Sequence, residues 1–173
     1  MALIASREAG GIGRQATDNR AGGYVTGSIT IERVPFASLG DEWHNLVRDG
    51  YHADYAGMGE LYGGVATAED KIVQMVRWGR DIEAWTARAG GGLVGVLTGD
   101  LDGARLTIYD FFVDRAFRRR GIGRALLEAA LATTGVSHVA AEVNAANAAS
   151  RALFEAIGFR PARTVSWYVK GEE

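Results

Sequence analysis

The chain has no cysteine. That removes disulfides, a thiolate nucleophile and thiolate metal ligands, and it suits a reducing compartment such as the cytoplasm. Histidine is scarce as well: His44, His52 and His138 stand too far apart to suggest a ligand set, so no metal is expected. Neither sign of charge dominates, with 19 lysines and arginines against 21 aspartates and glutamates and a net charge of −2. Nothing in that balance favours nucleic acid or an anionic membrane surface as a partner. Long apolar runs are missing too. The opening Met1-Ala2-Leu3-Ile4-Ala5 is interrupted by Arg7 and Glu8, well short of a signal-peptide core or a membrane span, so a cytoplasmic protein is expected.

What remains is a chain of 173 residues, 47% hydrophobic, enough for one domain with its own core. Residues 1–27 are rich in glycine and small polar residues without periodicity, and a flexible tail is expected there, ahead of a single domain over 28–173. Residues 28–34 alternate as a strand that Pro35 ends, and a helix through Trp43, Leu46 and Val47 should stop at Gly50. Residues 51–64 read as a surface loop or the wall of a binding site. A second helix is expected over 68–78, capped by Thr67 and Asp70, with Ile72, Met75 and Val76 facing inward. Acidic residues gather between Asp41 and Asp70 and could draw in a cationic substrate. Strands at 81–88 and 92–101 form a hairpin, and a turn at Asp102-Gly103 adds a third strand, 106–113, to the meander. After a helix ending near Gly135, a strand over 136–143 should run parallel to 106–113. Asn147 caps a helix over 148–157, Gly158 ends it, and closing strands follow in which Val165, Trp167 and Val169 alternate.

The stretch Phe117-Arg118-Arg119-Arg120-Gly121-Ile122-Gly123-Arg124-Ala125-Leu126-Leu127 joins the strand over 106–113 to the helix that follows. The first N–H groups of a helix lack intrahelical partners and sit at the positive end of its dipole, so a strand-turn-helix junction of this kind can hold a phosphate. Gly121 and Gly123 keep side chains away from the backbone, and Arg118, Arg119, Arg120 and Arg124 add counter-charge. A solvated basic turn would use similar letters, and the chain contains its own control. Gly11-Ile12-Gly13-Arg14 repeats Gly121-Ile122-Gly123-Arg124, yet no strand precedes it and no apolar period follows. The third glycine of a dinucleotide fingerprint is lacking at 121–126.

The pattern Arg118-x-x-Gly121-x-Gly123, followed after one strand by the run from Asn147 to Gly158-Phe159, resembles the GNAT acyltransferase superfamily. The resemblance covers the chain from about Ser28 onward. It implies an α/β (α+β) fold: a central mixed sheet of six to seven strands, flanked by about four helices and splayed between its two central parallel strands. It also implies acetyl-CoA as cosubstrate and no metal. Phe111, Phe112 and Val113 would line the acyl-pantetheine arm, with a backbone N–H at or near Val113 polarising the thioester carbonyl. Residues Arg118, Arg119, Arg120, Gly121, Ile122, Gly123 and Arg124 would hold the pyrophosphate, with Asn147 and Ser150 contributing from the second segment.

The implied reaction is N-acetylation of a primary amine, on a small cationic molecule such as an aminoglycoside or polyamine, or on a peptide N-terminus. An ammonium is no nucleophile, so a carboxylate or a water chain must take its proton. Glu142, five residues before Asn147, matches the general base of protein N-terminal acetyltransferases in the family, and Asp110 on the facing strand is the alternative. Many relatives carry a tyrosine as general acid where this chain has Phe154, leaving a water, Tyr109 or Tyr168 to protonate the thiolate. That departure keeps a second reading open, an acyl-CoA-binding module without catalysis. Homodimers built through closing strands are common in the family and are possible here.

Overall fold

The computed structural model describes residues 2–8, 29–54, 69, 72–73, 82–133, 135–145 and 147–165. Seven strands form one mixed sheet: β1 (Ala2–Glu8), β2 (Ile29–Pro35), β3 (Ile82–Ala89), β4 (Gly92–Asp102), β5 (Arg105–Val113), β6 (His138–Asn144) and β7 (Arg160–Val165). Their spatial order is β2-β3-β4-β5-β6-β1-β7. Three α-helices accompany them among the described residues: α1 (Gly40–Asp54), α2 (Ile122–Leu131) and α3 (Ala148–Ala156). Glu69, Ile72 and Val73 are helical, and Ile72 packs toward the core while Val73 is exposed. The rest of the helix expected over 68–78, including Met75 and Val76, lies outside the described residues.

Strands β3 to β5 form the expected antiparallel meander of three strands, and β2 extends it by pairing antiparallel with β3 along its whole length. The crossover through α2 then places β6 parallel to β5, as a helix between two strands of one sheet requires. Two clusters of buried side chains occupy the two faces. On one, Ile122, Leu126, Leu127 and Ala130 of α2 pack against Leu97, Leu106, Ile108, Val139, Ala141 and Val143. On the other, Trp43, Leu46 and Val47 of α1 pack against Ala84, Val96 and Phe112, with Phe36 edge-on to Trp43 at a centroid distance of 4.8 Å. The alternation of strand side chains between faces sorts the residues in this way.

Two expectations need correction. The tail over 1–27 begins with a strand: β1 lies antiparallel to β6 on one side and to β7 on the other. A short apolar run such as Leu3-Ile4-Ala5 finds hydrogen-bond partners on both edges there. The slot that accepts it lies between β6 and β7, far away in sequence. Helix α1 also passes through Gly50 and runs to Asp54, four residues into the stretch read as loop. A glycine inside a helix costs only about 1 kcal/mol relative to alanine, which tertiary packing readily offsets.

Candidate active site

The parallel pairing of β5 with β6 covers only Arg105 to Ile108 against His138 to Ala141. The cause sits in the next residue. Thr98 of β4 faces Asp110 while Gly99 faces Ile108, so Tyr109 is the extra residue of a β-bulge. A bulge bends its strand and interrupts the ladder. The bulge brings backbone very near to Gly99, where a Cβ would stand 2.7 Å from the Thr107 carbonyl oxygen. Beyond Tyr109 the two central strands part.

Backbone direction follows from one hydrogen bond. The Asp114 N–H donates to the Val94 oxygen at 2.9 Å, so Asp114 points its polar groups at β4. Successive residues alternate along a strand, and Val113 and Phe111 therefore direct theirs toward the opened gap. The Val113 carbonyl is taken by Arg118 Nε at 2.9 Å. The N–H groups of Phe111 and Val113 face the gap.

Between β5 and α2, the Asp114 carboxylate caps a 3₁₀ turn at Arg115–Phe117 by accepting from the Ala116 N–H at 2.8 Å. Arg119 has φ 61° and Gly121 φ 81°, both left-handed, in a chain whose other described residues with positive φ are all glycines. A non-glycine residue held there costs about 1–3 kcal/mol, and such strain concentrates at functional segments. Gly121 is the N-cap of α2 and offers no side-chain hydrogen bond; the first intrahelical bond of this turn runs from Ala125 N–H to the Gly121 oxygen at 3.0 Å. The N–H groups of Ile122, Gly123 and Arg124 are thus left for an anion, at the positive end of the helix.

Facing this turn, Asn147 caps α3: its Oδ1 accepts from the Ser150 N–H at 3.0 Å. The helix ends in a Schellman motif, with Phe159 N–H bonded to the Phe154 oxygen and Gly158 N–H to the Glu155 oxygen. Between the strand end, the turn and α3 lies one cleft of about 580 Å³. Phe111, Phe112, Val113, Arg118, Arg119, Gly121, Ile122, Gly123, Arg124, Asn147 and Ser150 all line it. Arg120 does not; its guanidinium lies over the Phe117 ring, 5.3 Å from the centroid. Phe117, Ala148, Ala149 and Leu153 line the cleft without having been singled out from sequence. The helical period of 147–153 would have flagged Ala148, Ala149 and Leu153 once the capping asparagine was placed at one end of the cleft.

The arginines are not four equivalent counter-charges. Arg124 Nε pairs with Glu128 at 2.8 Å, one helical turn on, and Arg118 is tied to Val113. Arg118 keeps its positive charge on the cleft wall, because a carbonyl does not neutralise it, and Arg119 and the helix N-terminus add theirs.

Both candidate carboxylates project on the α1 side of the sheet. Val139, Ala141 and Val143 pack on the α2 side, so Glu142 points the other way, and Asp110 shares a face with Phe112. They lie just past the last paired rung, Ile108 opposite Ala141. Glu142 is exposed, whereas Asp110 is buried at 6% exposure. Neither lines the cleft. Phe154 is buried, edge-on to Phe159 at 4.9 Å and to Phe111 at 6.2 Å. It is a core aromatic. Tyr109 stands on the bulge, outside the cleft, and its phenol is pushed above its ordinary value first by burial and then by the Asp100 carboxylate, so it stays neutral at physiological pH. Tyr168 lies outside the described residues.

The acidic early helix is partly neutralised. Glu42 forms a forked pair with Arg88 of β3, at 2.7 and 3.2 Å, and Glu69 pairs with Arg48 at 2.8 Å. Asp41 stands 3.5 Å from His44. The side chains of Asp49, Asp54, Glu60 and Asp70 lie outside the described residues. No group of three or more metal-ligating side chains and no helix long and apolar enough to cross a membrane occurs among the described residues.

With this geometry in view, the profile of the acetyltransferase (GNAT) family matches residues 41–159. The chain belongs to that family. It is 48% identical over 59 residues to the ribosomal protein bS18 alanine N-acetyltransferase of Salmonella typhimurium, a stretch that is 32% of this chain and 40% of that protein. Its counterpart in Escherichia coli K12 is 44% identical over the same length. The match therefore spans 40% of the length of these curated relatives. Among solved structures, this GNAT chain superposes on the E. coli ribosomal-protein-S18-alanine N-acetyltransferase with a TM-score of 0.60 at 23% identity, covering 79% of this chain and 80% of that one. PaiA N-acetyltransferase of Thermoplasma acidophilum, solved with coenzyme A, gives 0.59 at 19% identity over 77% and 90% of the two chains. The aminoglycoside enzyme AAC(6')-Iy, with a bisubstrate analogue, gives 0.57 at 19% identity over 83% and 99%. At these identities the likeness shows the fold alone.

Proposed function

We propose that this GNAT chain transfers an acetyl group from acetyl-CoA to a primary amine. The observation that carries the reading is the coincidence of two features on one cleft: an uncapped helix N-terminus able to hold a pyrophosphate, and a strand end whose N–H groups face an opened gap. The residues fit the cosubstrate. Backbone N–H groups of Ile122, Gly123 and Arg124, with the Arg119 charge, hold the pyrophosphate. Phe111 and Val113 present backbone to the extended pantetheine arm as another strand would, and the amide of Asn147, whose oxygen is already committed to the cap, is left as a donor.

Bound there, acetyl-CoA supplies an activated thioester. The Val113 N–H is placed to stabilise the negative charge that develops on the acyl oxygen, a contribution of the oxyanion-hole kind. Glu142 takes a proton from the incoming ammonium, directly or through water. Its exposure lets it pass that proton on to solvent. As the amine nitrogen bonds to the carbonyl carbon the C–S bond breaks, and the second proton that the nitrogen sheds passes through water to the thiolate, of ordinary pKa about 8.5, because Phe154 has none to give.

A peptide N-terminus is the favoured acceptor. The relatives matched in sequence are named for acetylating a ribosomal protein, and pairing of Glu42 and Glu69 weakens the pull on a polycation. The test is thiol release from acetyl-CoA against peptides with free N-termini, including one beginning with alanine, and against aminoglycosides and polyamines. Glu142→Gln should lower turnover by about 10²–10⁴-fold with CoA affinity retained, and Asp110→Asn serves as the competing variant. If Asp110→Asn abolishes turnover and Glu142→Gln does not, the base is misassigned. Burial of Phe154 favours a second reading, a binding module without catalysis; CoA binding with no turnover on any acceptor would establish it.

A further inference from the structure

Resting on the proposed acetyl-CoA site, we infer that Arg118 is a positioning residue for the acyl-polarising N–H of Val113 rather than a counter-charge for phosphate. Of the four arginines in the turn, Arg118 alone is half-buried; Arg119, Arg120 and Arg124 are exposed. Its Nε donates to the Val113 carbonyl oxygen, 2.9 Å away and five residues back. That carbonyl points into the gap, where β6 no longer supplies a donor, since the ladder between the strands ends at Ile108 and Ala141.

Without Arg118 the strand end would carry an acceptor without a protein donor, beside an N–H that must be aimed. The neighbouring bonds define what the tie controls. Asp114 N–H is fixed on Val94 and the Asp114 carboxylate on Ala116 N–H, so everything after Val113 is anchored to β4 and the 3₁₀ turn. Arg118 closes the remaining side. It links the turn that holds phosphate to the strand end that meets the acyl group, through one planar N–H that lysine cannot reproduce.

The two roles separate in binding measurements that need no acceptor. Calorimetric affinities for CoA and acetyl-CoA are compared in full-length wild type, Arg118→Lys, Arg118→Gln and Arg119→Gln. A positioning role predicts that both Arg118 variants lose the preference for acetyl-CoA over CoA, by about three- to tenfold for one misaimed hydrogen bond, while Arg119→Gln weakens both ligands alike. Amide hydrogen exchange of the ligand-free protein at 111–114 should quicken in both Arg118 variants. With an acceptor in hand, kcat should fall, and KM for acetyl-CoA should rise by no more than that three- to tenfold loss. The inference is overturned if Arg118→Lys matches wild type, if Arg118→Gln weakens both ligands equally, if exchange at 111–114 is unchanged, or if wild type shows no preference between the ligands. Wild type that binds neither ligand would instead remove the functional reading itself, and this inference with it.

Discussion

Replacing Gly121 by alanine isolates the cost of the proposed phosphate turn from any steric effect. The residue has φ 81°, and a Cβ built on it meets nothing within 4 Å. Every consequence is therefore conformational. An L-residue in the left-handed region costs about 1–2 kcal/mol, and that free energy must appear in one of two places. If the backbone is held, stability falls by this amount, which for a domain of this size lowers Tm by roughly 2–8 °C, and CoA affinity is kept. If the backbone relaxes to negative φ, Tm is preserved but the N–H groups of Ile122, Gly123 and Arg124 are re-aimed, and CoA binds about tenfold more weakly or worse. Thermal unfolding and calorimetric titration with CoA on the same sample separate the branches. Gly121→Asn should recover most of either loss, because asparagine tolerates the left-handed region. An alanine variant unchanged in both Tm and CoA affinity would refute the assignment of this turn.

Four further outcomes are expected. Phe154→Ala removes a ring packed on Phe111 and Phe159, at about 3–5 kcal/mol, and should lower the denaturant midpoint at unchanged slope; a marginal shift would mean the aromatic cluster is loose. Leu3→Pro deletes one ladder donor from β1, the strand through which β7 joins the sheet, so hydrogen exchange over 160–165 should quicken ahead of that in β3 and β4, and uniform quickening would contradict this. The hydrogen bond from Arg88, more than its charge alone, holds the Glu42 carboxyl below its ordinary value of 4.5. A lowered carboxyl value means stability present above that ordinary value and lost as pH falls through the lower folded one, so Glu42→Gln should cost well under 1 kcal/mol at pH 7 for so exposed a pair, and an equal Tm gap at pH 3 would argue against the pair. Gly123→Ala places a Cβ 3.1–3.2 Å from the ends of the Phe111 and Leu153 side chains, which can yield, so its stability loss should be smaller than that of Gly121→Ala; a larger loss would show that the cleft wall is rigid.

The parts of the site that could be read from the sequence are those whose physics is local. A strand, a glycine-bearing turn and a helix lie within about 25 consecutive residues from Arg105, and the capped helix after Asn147 announces both its ends by Asn147 and Gly158. Contacts made at long range were not legible. The slot for β1 arises between strands at 138–144 and 160–165. Arg88 neutralises Glu42 from 46 residues away. Arg118 carries the same letter as three other arginines nearby, and only the fold, by leaving the Val113 carbonyl exposed at the gap, distinguishes its role. The alternation that placed Glu142 and Asp110 on strands could not say that both face α1, since that depends on which side of the sheet α2 crosses.

A sheet that must open in its middle has to be closed by other means. Here the opening lies between the parallel strands β5 and β6, where pairing is intrinsically somewhat weaker than in antiparallel ladders, and each side is built as an antiparallel unit: β2 to β5 as a meander, β6 with β1 and β7 as a second block. Helix α2 packs over the first, against β2 to β5, and shares one buried cluster with Val139 and Val143 of the second. The break itself costs little, because one extra residue at Tyr109 produces it, and a glycine at 99 allows the strands to approach at that point. The two units then differ in what they bring to the gap. The meander contributes the backbone of Phe111 and Val113, fixed through β4 and Arg118, while the smaller block contributes Glu142 and Asn147. In the proposed reaction the acyl-polarising N–H and the base thus come from different strand blocks, and Ile4 of β1 lies opposite Glu142 in the second. A loosened β1 should therefore disturb proton removal before it disturbs CoA binding.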